Sequence, residues 1–375
     1  MATVPDTKTG LPPITVPQFR PFIDMSDYEA LRPVFEGNYI AEGPKSREFH
    51  KRLLEITGAP YGVFACNGTL ALYLAMRGLN IGQGDEVLVQ DVTFIASANG
   101  VEMVGAKPVF VDVVSPTDLT IDLEKAEAAL TPNTKAMVIA HLFGSACTNI
   151  EEIAMFCRDK GLLLIEDAAQ SLGITNGETH TGLFGDIATF SFYADKTITT
   201  AEGGFIITKD PEVEHRMKFL RNQGRTHSGT FVHPEVGYNF RITDMQAALG
   251  LSQLSKLETI KERKSWILSR YQHYLGDKVE FLKLHPDFNC IPFRVVAFVE
   301  DAERTTNYMR MQGVEPRQMF YPLHRQPCYS HLGYTDAGFE NANETVARGI
   351  CLPTWCGLSE EQIKLACESL LDSLK

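Results

Sequence analysis

Three short stretches carry residue types that could do chemistry together. In Cys66-Asn67-Gly68-Thr69-Leu70 an apolar run ends in a turn of small residues and an amphipathic segment begins. Such a turn offers unpaired backbone N–H groups, the positive end of a helix dipole and a hydroxyl, which together suit a phosphate. The same residues also make an ordinary glycine turn with a threonine cap. The run from Leu162 to Gln170 is an apolar strand that ends in Glu166 and Asp167. In open parallel sheets the carboxyl ends of strands face the ligand crevice, and a buried carboxylate needs a cationic partner. Asp167 therefore either meets a cationic ligand group or serves a helix cap or structural ion pair. In Phe190-Ser191-Phe192-Tyr193-Ala194-Asp195-Lys196, followed by Thr197 to Thr200 and Glu202-Gly203-Gly204, a lysine stands between a strand end, hydroxyl residues and a Gly-Gly turn. A lysine so placed loses hydration and its pKa falls toward nucleophilic use; a solvated surface lysine is the alternative.

A phosphate cradle, an acid aimed at a ring nitrogen and a Schiff-base lysine are the parts that pyridoxal 5'-phosphate requires. On these and further strings the sequence resembles the DegT/DnrJ/EryC1/StrS aminotransferases, a sugar-modifying branch of the fold-type I pyridoxal-phosphate enzymes. The likeness runs through Asn67 to Thr69, Thr93 to Asn99, Pro108 to Asp112, His141 to Gly144, Glu166 to Gln170, Gly185-Asp186, Phe190 to Phe192 with Lys196, Gly237 to Arg241, Pro322 to His324 and Leu352 to Thr354. Residues 1–35 lie largely outside it.

The resemblance implies that Lys196 binds the cofactor covalently and shuttles a proton, and that Asp167 keeps the pyridine nitrogen protonated. It implies that Gln170 contacts the phenolic oxygen and that Phe94 stacks on the ring. Gly68, Thr69, Leu70 and Ser191 would hold the phosphate, with Asn239 reaching it from the neighbouring subunit of a homodimer with shared sites. His324, Arg241 and Tyr39 are the residues it suggests for substrate contacts. The chain departs from the family's habit at Tyr39, Ser145 and Gln318, near the expected acceptor pocket, which bears on the acceptor and leaves the cofactor untouched.

The elements that must position these residues are legible as a rhythm. From about Tyr61, short β-branched runs alternate with amphipathic segments through 162–165, the mark of a mostly parallel sheet with helices on both faces. Between Asp186 and Thr208 two strand-like runs flank a polar loop, which should lie beside the active centre. Thr243-x-x-Gln246 reads as a capping box opening a long helical stretch to about Leu275, and Ser359-x-x-Gln362 as another. The expected class is α/β, with the resemblance implying a seven-stranded-type sheet and a smaller C-terminal α+β domain. The expected divisions are a proline-bearing, extended N-terminal arm over 1–35, a large cofactor domain over 36–254 and a small domain over 255–375.

Length and composition fit that plan. The 375 residues are enough for two domains. With 44% hydrophobic and 22% charged residues the chain is neither disordered nor fibrous, and no apolar run is long enough to span a membrane. A net charge of −12 repels nucleic acid and anionic membranes, so neither is an expected partner. The eight cysteines are scattered without a Cys-x-x-Cys pair, and the histidines show no ligand spacing, so no metal is expected. Reduced thiols and the absence of a signal core suggest a cytoplasmic enzyme. Gly82-Gln83-Gly84 precedes a strand and reads as a turn, since a dinucleotide site needs it to follow one.

The expected function is amino transfer from an amino acid, L-glutamate first, to a keto-sugar that is nucleotide-linked. Within the resemblance, the loop after Lys196 looks most like that of the perosamine-synthase-like branch, which aminates C4 of a 4-keto-6-deoxyhexose. A C3-keto, non-nucleotide or small phosphorylated acceptor is the alternative. The family's dehydratase branch carries His in place of the lysine, so Lys196 argues against it. A scaffold that merely kept the fold has no need of Lys196, Asp167, Gln170 and Ser191 together.

Overall fold

Seven of the apolar runs pair into one sheet. In the computed structural model, which describes residues 12–227 and 229–375, these are β1 (Tyr61–Ala65), β2 (Glu86–Gln90), β3 (Lys107–Val111), β4 (Thr134–Ala140), β5 (Leu163–Asp167), β6 (Ile187–Ser191) and β7 (Gly204–Thr208). Their spatial order is β1-β7-β6-β5-β4-β2-β3, with parallel pairing from β6 to β3 and β7 alone running against its neighbours. Strands covered on both faces need apolar side chains at every position. Val87, Val89, Ala136, Val138 and Ile165 accordingly join one core, while the alternate residues Leu88, Met137, Ile139 and Leu164 join another across the sheet.

Helices α1 (Met25–Glu36), α2 (Pro44–Thr57), α3 (Gly68–Gly78), α4 (Ala96–Met103), α5 (Leu123–Ala128), α6 (Ile150–Lys160), α7 (Pro211–Arg221), α8 (Asp244–Ser255) and α9 (Leu257–Leu275) surround this sheet or lead away from it. Leu72 and Met76 of α3, Val101 of α4 and Met217 of α7 pack on the first face. Ile150 and Ile153 of α6 and Phe49 and Leu53 of α2 cover the other. Both expected capping boxes form, Thr243 with Gln246 and Ser359 with Gln362. The helical stretch expected to reach about Leu275 does so in two helices that meet at Lys256, whose Nζ pairs with Asp24 at 2.9 Å and Asp27 at 2.6 Å.

A second, antiparallel sheet joins Glu280–Phe281, Val295–Phe298, Gly349–Leu352 and Arg317–Gln318 in that order. Its core takes Ile267, Tyr271 and Leu275 from α9, with Met309 and Leu370 from later helices. The N-terminal stretch departs from the expected extended arm, of which 1–11 lie outside the described residues. Val16 is fully buried in this second core and bridges Val314, Trp355 Nε1 donates to Pro17 O at 3.2 Å, and α1 begins at Met25. The physical reason is simple: a chain of this composition hides an apolar strip wherever a groove accepts it, and Pro17 prevents only helix. Among the described residues no helix is long and apolar enough to cross a membrane.

One distant carboxylate fixes the entry to α2. That helix starts at Gly43, which has no side-chain cap of its own. Asp244 fills the role: it accepts from the N–H groups of Gly43 (2.7 Å), Lys45 (3.0 Å) and Ser46 (2.8 Å) and from the Ser46 hydroxyl (2.6 Å). Burial works against its charge, but these bonds, led by Ser46, outweigh it and hold the carboxyl below the usual range. A depressed folded pKa means stability that is full above the unfolded value near 4 and lost as pH falls through the folded one. Asp244→Ala is therefore expected to cost about 3 kcal/mol at neutral pH, the scale of a lost charged cap with buried donors stranded. In urea titrations the gap from wild type should narrow as the pH is lowered below about 4; a pH-independent gap would contradict the charged role.

Candidate active site

The carboxyl ends of β1, β5 and β6 and the start of β7 meet along one edge, and the chemistry-bearing residues gather there. After β1 the chain turns at Asn67, whose extended backbone ends in a side chain that caps α3 by accepting from Leu70 N at 2.9 Å. This engages the Leu70 amide, so Leu70, expected among the phosphate contacts, has its donor spent on the cap. The amides of Gly68 and Thr69 and the Thr69 hydroxyl have no partner among the described residues and stand at the positive end of an 11-residue helix.

Ser191, at the end of β6, closes the other side of the cradle. A Cβ added to Gly68 would lie 2.9 Å from Ser191 Cβ, and one on Gly204 would lie 2.3 Å from Asn67 O. Only glycines let the turn, the strand end and the Gly-Gly loop approach this closely. The donor set fits the phosphate of pyridoxal 5'-phosphate: two free amides, two hydroxyls and a helix terminus, all half-buried.

The two acids at the end of β5 point to different tasks. Glu166 is fully buried and accepts from His141 Nε2 at 2.8 Å and from the amides of Gly182, Phe184 and Gly185. Burial opposes its charge, yet His141 and these amides hold the carboxyl below its ordinary range. The Cys147 N–H donates to His141 Nδ1 at 3.1 Å, which leaves the Nε2 proton for Glu166. Glu166 thus secures the loop after β5. Asp167 is turned the other way. Its Oδ2 accepts from the Ser97 hydroxyl at 2.6 Å and its Oδ1 from Ala169 N at 3.2 Å, and Ser97 in turn lies 3.3 Å from the Thr93 hydroxyl.

Around this acid stand the remaining candidates. Gln170 is buried and its Oε1 accepts from Phe143 N at 2.7 Å, which leaves its amide hydrogens as the donors available to a ligand. Phe143 has φ 54, a left-handed conformation that a bulky residue adopts only when held. The hold is tight: a Cβ on the following Gly144 would meet Ile291 O at 1.9 Å, and Phe143 O accepts from Phe293 N at 2.9 Å. Phe94 is half-exposed, edge-on to Phe320, which stacks on Phe143 at 5.4 Å. Lys196 projects its Nζ to 4.6 Å from the centre of the Phe293 ring. Loss of hydration pushes the Lys196 amine below its ordinary pKa, with Asp195 and Asp167 opposing the shift and Arg294 adding to it.

The residues expected to touch substrate fall elsewhere. His324 is buried: its Nδ1 lies 2.7 Å from Asp91 Oδ2, its ring stacks on Phe339 at 4.2 Å, and its amide donates to Asp91 Oδ1. Its surroundings make it an anchor of the segment after Pro322 to the end of β2, with Nε2 turned toward Asp336 Oδ1 at 3.4 Å. Asn239 and Arg241 are exposed and joined to each other, Arg241 Nε donating to Asn239 Oδ1 at 3.0 Å. Their carbonyls sit beside the Cys66 thiol, next to the phosphate turn. Tyr39 is exposed in the turn before α2, its ring packed over Gly43. Ser97 and Phe143 lie in strings that carry the resemblance but have no role assigned by it, and Phe293 and Arg294 carry no functional mark in the sequence. A hydroxyl in the first turn of a helix that follows a strand is the signal at Ser97. Among the described residues no cluster of His, Cys, Asp and Glu could hold a metal.

The family model described as "DegT/DnrJ/EryC1/StrS aminotransferase family" matches residues 21–371. The chain is 33% identical over 364 residues to the GDP-perosamine synthase of Escherichia coli O157:H7, covering 95% of this chain and 97% of that protein. It is 31% identical to a dTDP-4-dehydro-2,3,6-trideoxy-D-glucose 4-aminotransferase of Saccharopolyspora spinosa, over 93% of this chain and 95% of that one. Among solved structures it superposes with a TM-score of 0.90 and 26% identity on the PLP form of the putative sugar aminotransferase Spr1654 of Streptococcus pneumoniae, covering 97% and 98% of the two chains.

Removing the Ser97 hydroxyl tests the geometry around Asp167. A bond to a charged group is worth about 1.5–3 kcal/mol, so Ser97→Ala should lower turnover by roughly ten- to a hundredfold, with far-UV circular dichroism unchanged. Turnover equal to wild type would mean that Asp167 is oriented without Ser97.

Proposed function

Because the chain belongs to the DegT/DnrJ/EryC1/StrS aminotransferase family, we propose that it moves an amino group from L-glutamate to a nucleotide-linked 4-keto-6-deoxyhexose. It is a sugar aminotransferase dependent on pyridoxal phosphate; the donor, the acceptor and the residue roles below are our reading. The observation that carries the roles is the convergence on one sheet edge of the Gly68–Ser191 cradle, a doubly hydrogen-bonded Asp167 and a desolvated Lys196.

Bound there, pyridoxal phosphate supplies an electron-withdrawing ring that takes up the amino group from one substrate and passes it to the other. The chain's residues do the rest. Gly68, Thr69 and Ser191 hold the phosphate and so fix the ring's position. Asp167, kept in place by Ser97 and Ala169, lies where it can hold a proton on the ring nitrogen. Gln170, locked by Phe143, offers its amide to the phenolic oxygen. Phe94, braced by Phe320, covers one ring face and excludes water. The Lys196 Nζ tethers the cofactor and, once released, carries a proton to and from the reacting carbon.

Support for a 4-keto-sugar acceptor comes from the loop after Lys196 and from relatives named for GDP-perosamine and for a dTDP-linked 4-keto-sugar. Support for a homodimer comes from Asn239, exposed beside its own phosphate turn with its side-chain N–H groups unspent among the described residues. Phe231, Val232 and Val236 of the same loop are 83%, 72% and 80% exposed. An apolar loop of that kind wants a covering partner.

Two experiments check this reading. Incubation with glutamate and a panel of GDP- and dTDP-linked keto-sugars, with products read by mass spectrometry, should yield a 4-amino sugar, and borohydride should trap the cofactor on Lys196. Reaction only with C3-keto or non-nucleotide sugars would overturn the acceptor, and label on a different lysine would overturn the site.

Sharing of sites between subunits is checked by complementation. Lys196→Ala chains mixed with chains carrying a bulky residue at Asn239 should regain activity, up to roughly a quarter of wild type for random pairing. In each mixed dimer one of the two sites carries neither lesion. A fully active monomer, or no recovery after proven subunit exchange, would rule out the shared site.

A further inference from the structure

Lys196 has a neighbour able to disarm it. A carboxylate beside a desolvated ammonium captures it as an ion pair and holds the amine protonated and non-nucleophilic. Asp195, the preceding residue, lines the same small cavity, yet no ion pair joins it to Lys196. Asp195 Oδ2 instead accepts from Arg294 Nη2 at 2.8 Å. Asp195 Oδ1 is buried without a hydrogen-bond partner, so Arg294 is the cation this carboxylate has among the described residues.

Arg294 comes from the segment that enters the second sheet, and its side chain is only 5% exposed. Its guanidinium lies 4.2 Å from the centre of the Phe293 ring, the ring that also has the Lys196 Nζ at 4.6 Å, and its Nη1 donates to Phe293 O at 3.1 Å. Two consecutive residues thus serve one lysine. Phe293 gives the amine an apolar resting place, and Arg294 removes the competitor beside it. We propose that Arg294 is a positioning residue for Lys196: it occupies the Asp195 carboxylate and thereby leaves the neighbouring amine unpaired and ready to react.

The charges facing this amine come from several elements. Asp195 on its own loop and Asp167 at the end of β5 favour its protonated form, while burial and Arg294 disfavour it, burial most. Lys264 of α9 and Arg20 of the N-terminal segment line the same small cavity as Lys196, Asp195 and Arg294. The Lys264 ammonium donates to Thr354 O at 2.8 Å and is held by burial at about 8, so it supplies no anion to the site. Asp195 and Asp167 are therefore the two counter-charges that bear on Lys196, and Ser97 and Ala169 engage the second as Arg294 engages the first.

This role presupposes the reading of Lys196 given above, but its test needs no catalysis. The cofactor-free full-length chain is labelled with trace acetic anhydride across a pH series. Acetylation of Lys196 is read by mass spectrometry against the well-exposed Lys51. Arg294→Met frees Asp195 to pair with the amine, so Lys196 should titrate about one pH unit higher and label about tenfold less at pH 7. Adding Asp195→Asn to that variant should restore labelling to within about threefold of wild type, since an amide forms no ion pair. Asp195→Asn alone leaves the Arg294 charge unbalanced and should move the titration downward.

An unshifted titration in Arg294→Met, or a shift that Asp195→Asn does not reverse, overturns the proposal. Should Arg294→Met fail to fold, Arg294→Gln with and without Asp195→Asn decides it by the same comparison, an absent shift or one that Asp195→Asn does not reverse being the contrary result. Failure of the underlying reading would look different: borohydride would mark another lysine while these titration shifts persisted.

Discussion

A primary amine kept from water without a counter-charge of its own is the constraint to which this structure answers. An ammonium costs several kcal/mol to desolvate, and any nearby carboxylate relieves that cost by pairing with it. At Lys196 the protein accepts the desolvation and refuses the relief. Each carboxylate near the amine is tied elsewhere, Asp167 to Ser97 and Ala169 and Asp195 to Arg294. What remains beside the Nζ is an aromatic ring. The surrounding architecture serves this arrangement. The sheet brings Asp167 and Ser191 to one edge, and the second sheet delivers Phe293 and Arg294 from the opposite side.

The two sides are joined through backbone as well as side chains. Gln170 binds Phe143 N, Phe143 O binds Phe293 N, and the next residue holds Asp195. A movement of the second sheet would therefore be felt at both Gln170 and Lys196. The left-handed backbone at Phe143 is the stressed link in this thread, and the close approach of Gly144 to Ile291 shows how firmly it is clamped.

Much of this was legible in the chain, and the reason is local. Strands buried on both faces must be apolar throughout, so the runs at 86–90, 134–140 and 163–167 announce themselves, and glycine, serine, aspartate and lysine at their ends mark the functional edge. Legibility failed where partners come from far along the chain. Nothing near Asp167 in sequence points to Ser97, 70 residues away, nor near Lys196 to Arg294, which meets Asp195 across 99 residues. His324 stands in a motif that suggested a substrate contact, and only the fold reveals that Asp91 and Phe339 enclose it. Leu70 is a different case. The rule that asparagine caps helices assigns its amide to Asn67, three residues back, so this contact is legible from neighbouring residues alone.

The burial of Val16 bears on how the chain is made. The large sheet is complete in sequence once Thr208 has been synthesised, so its strands can pair while the rest of the chain is still emerging. The second core obeys another timetable. Thr15 and Val16 donate to Gly313 O, and the Gln18 side-chain amide donates to Glu315 O at 2.8 Å, contacts that span about 300 residues. The N-terminal segment must wait for residues about 300 positions later before it finds its groove. Until then its apolar strip is without shelter, and Phe293 and Arg294 lack the finished scaffold that presents them. Closure of this seam completes the surroundings of the reactive lysine, so its chemistry waits on contacts between the two most widely separated parts of the second core.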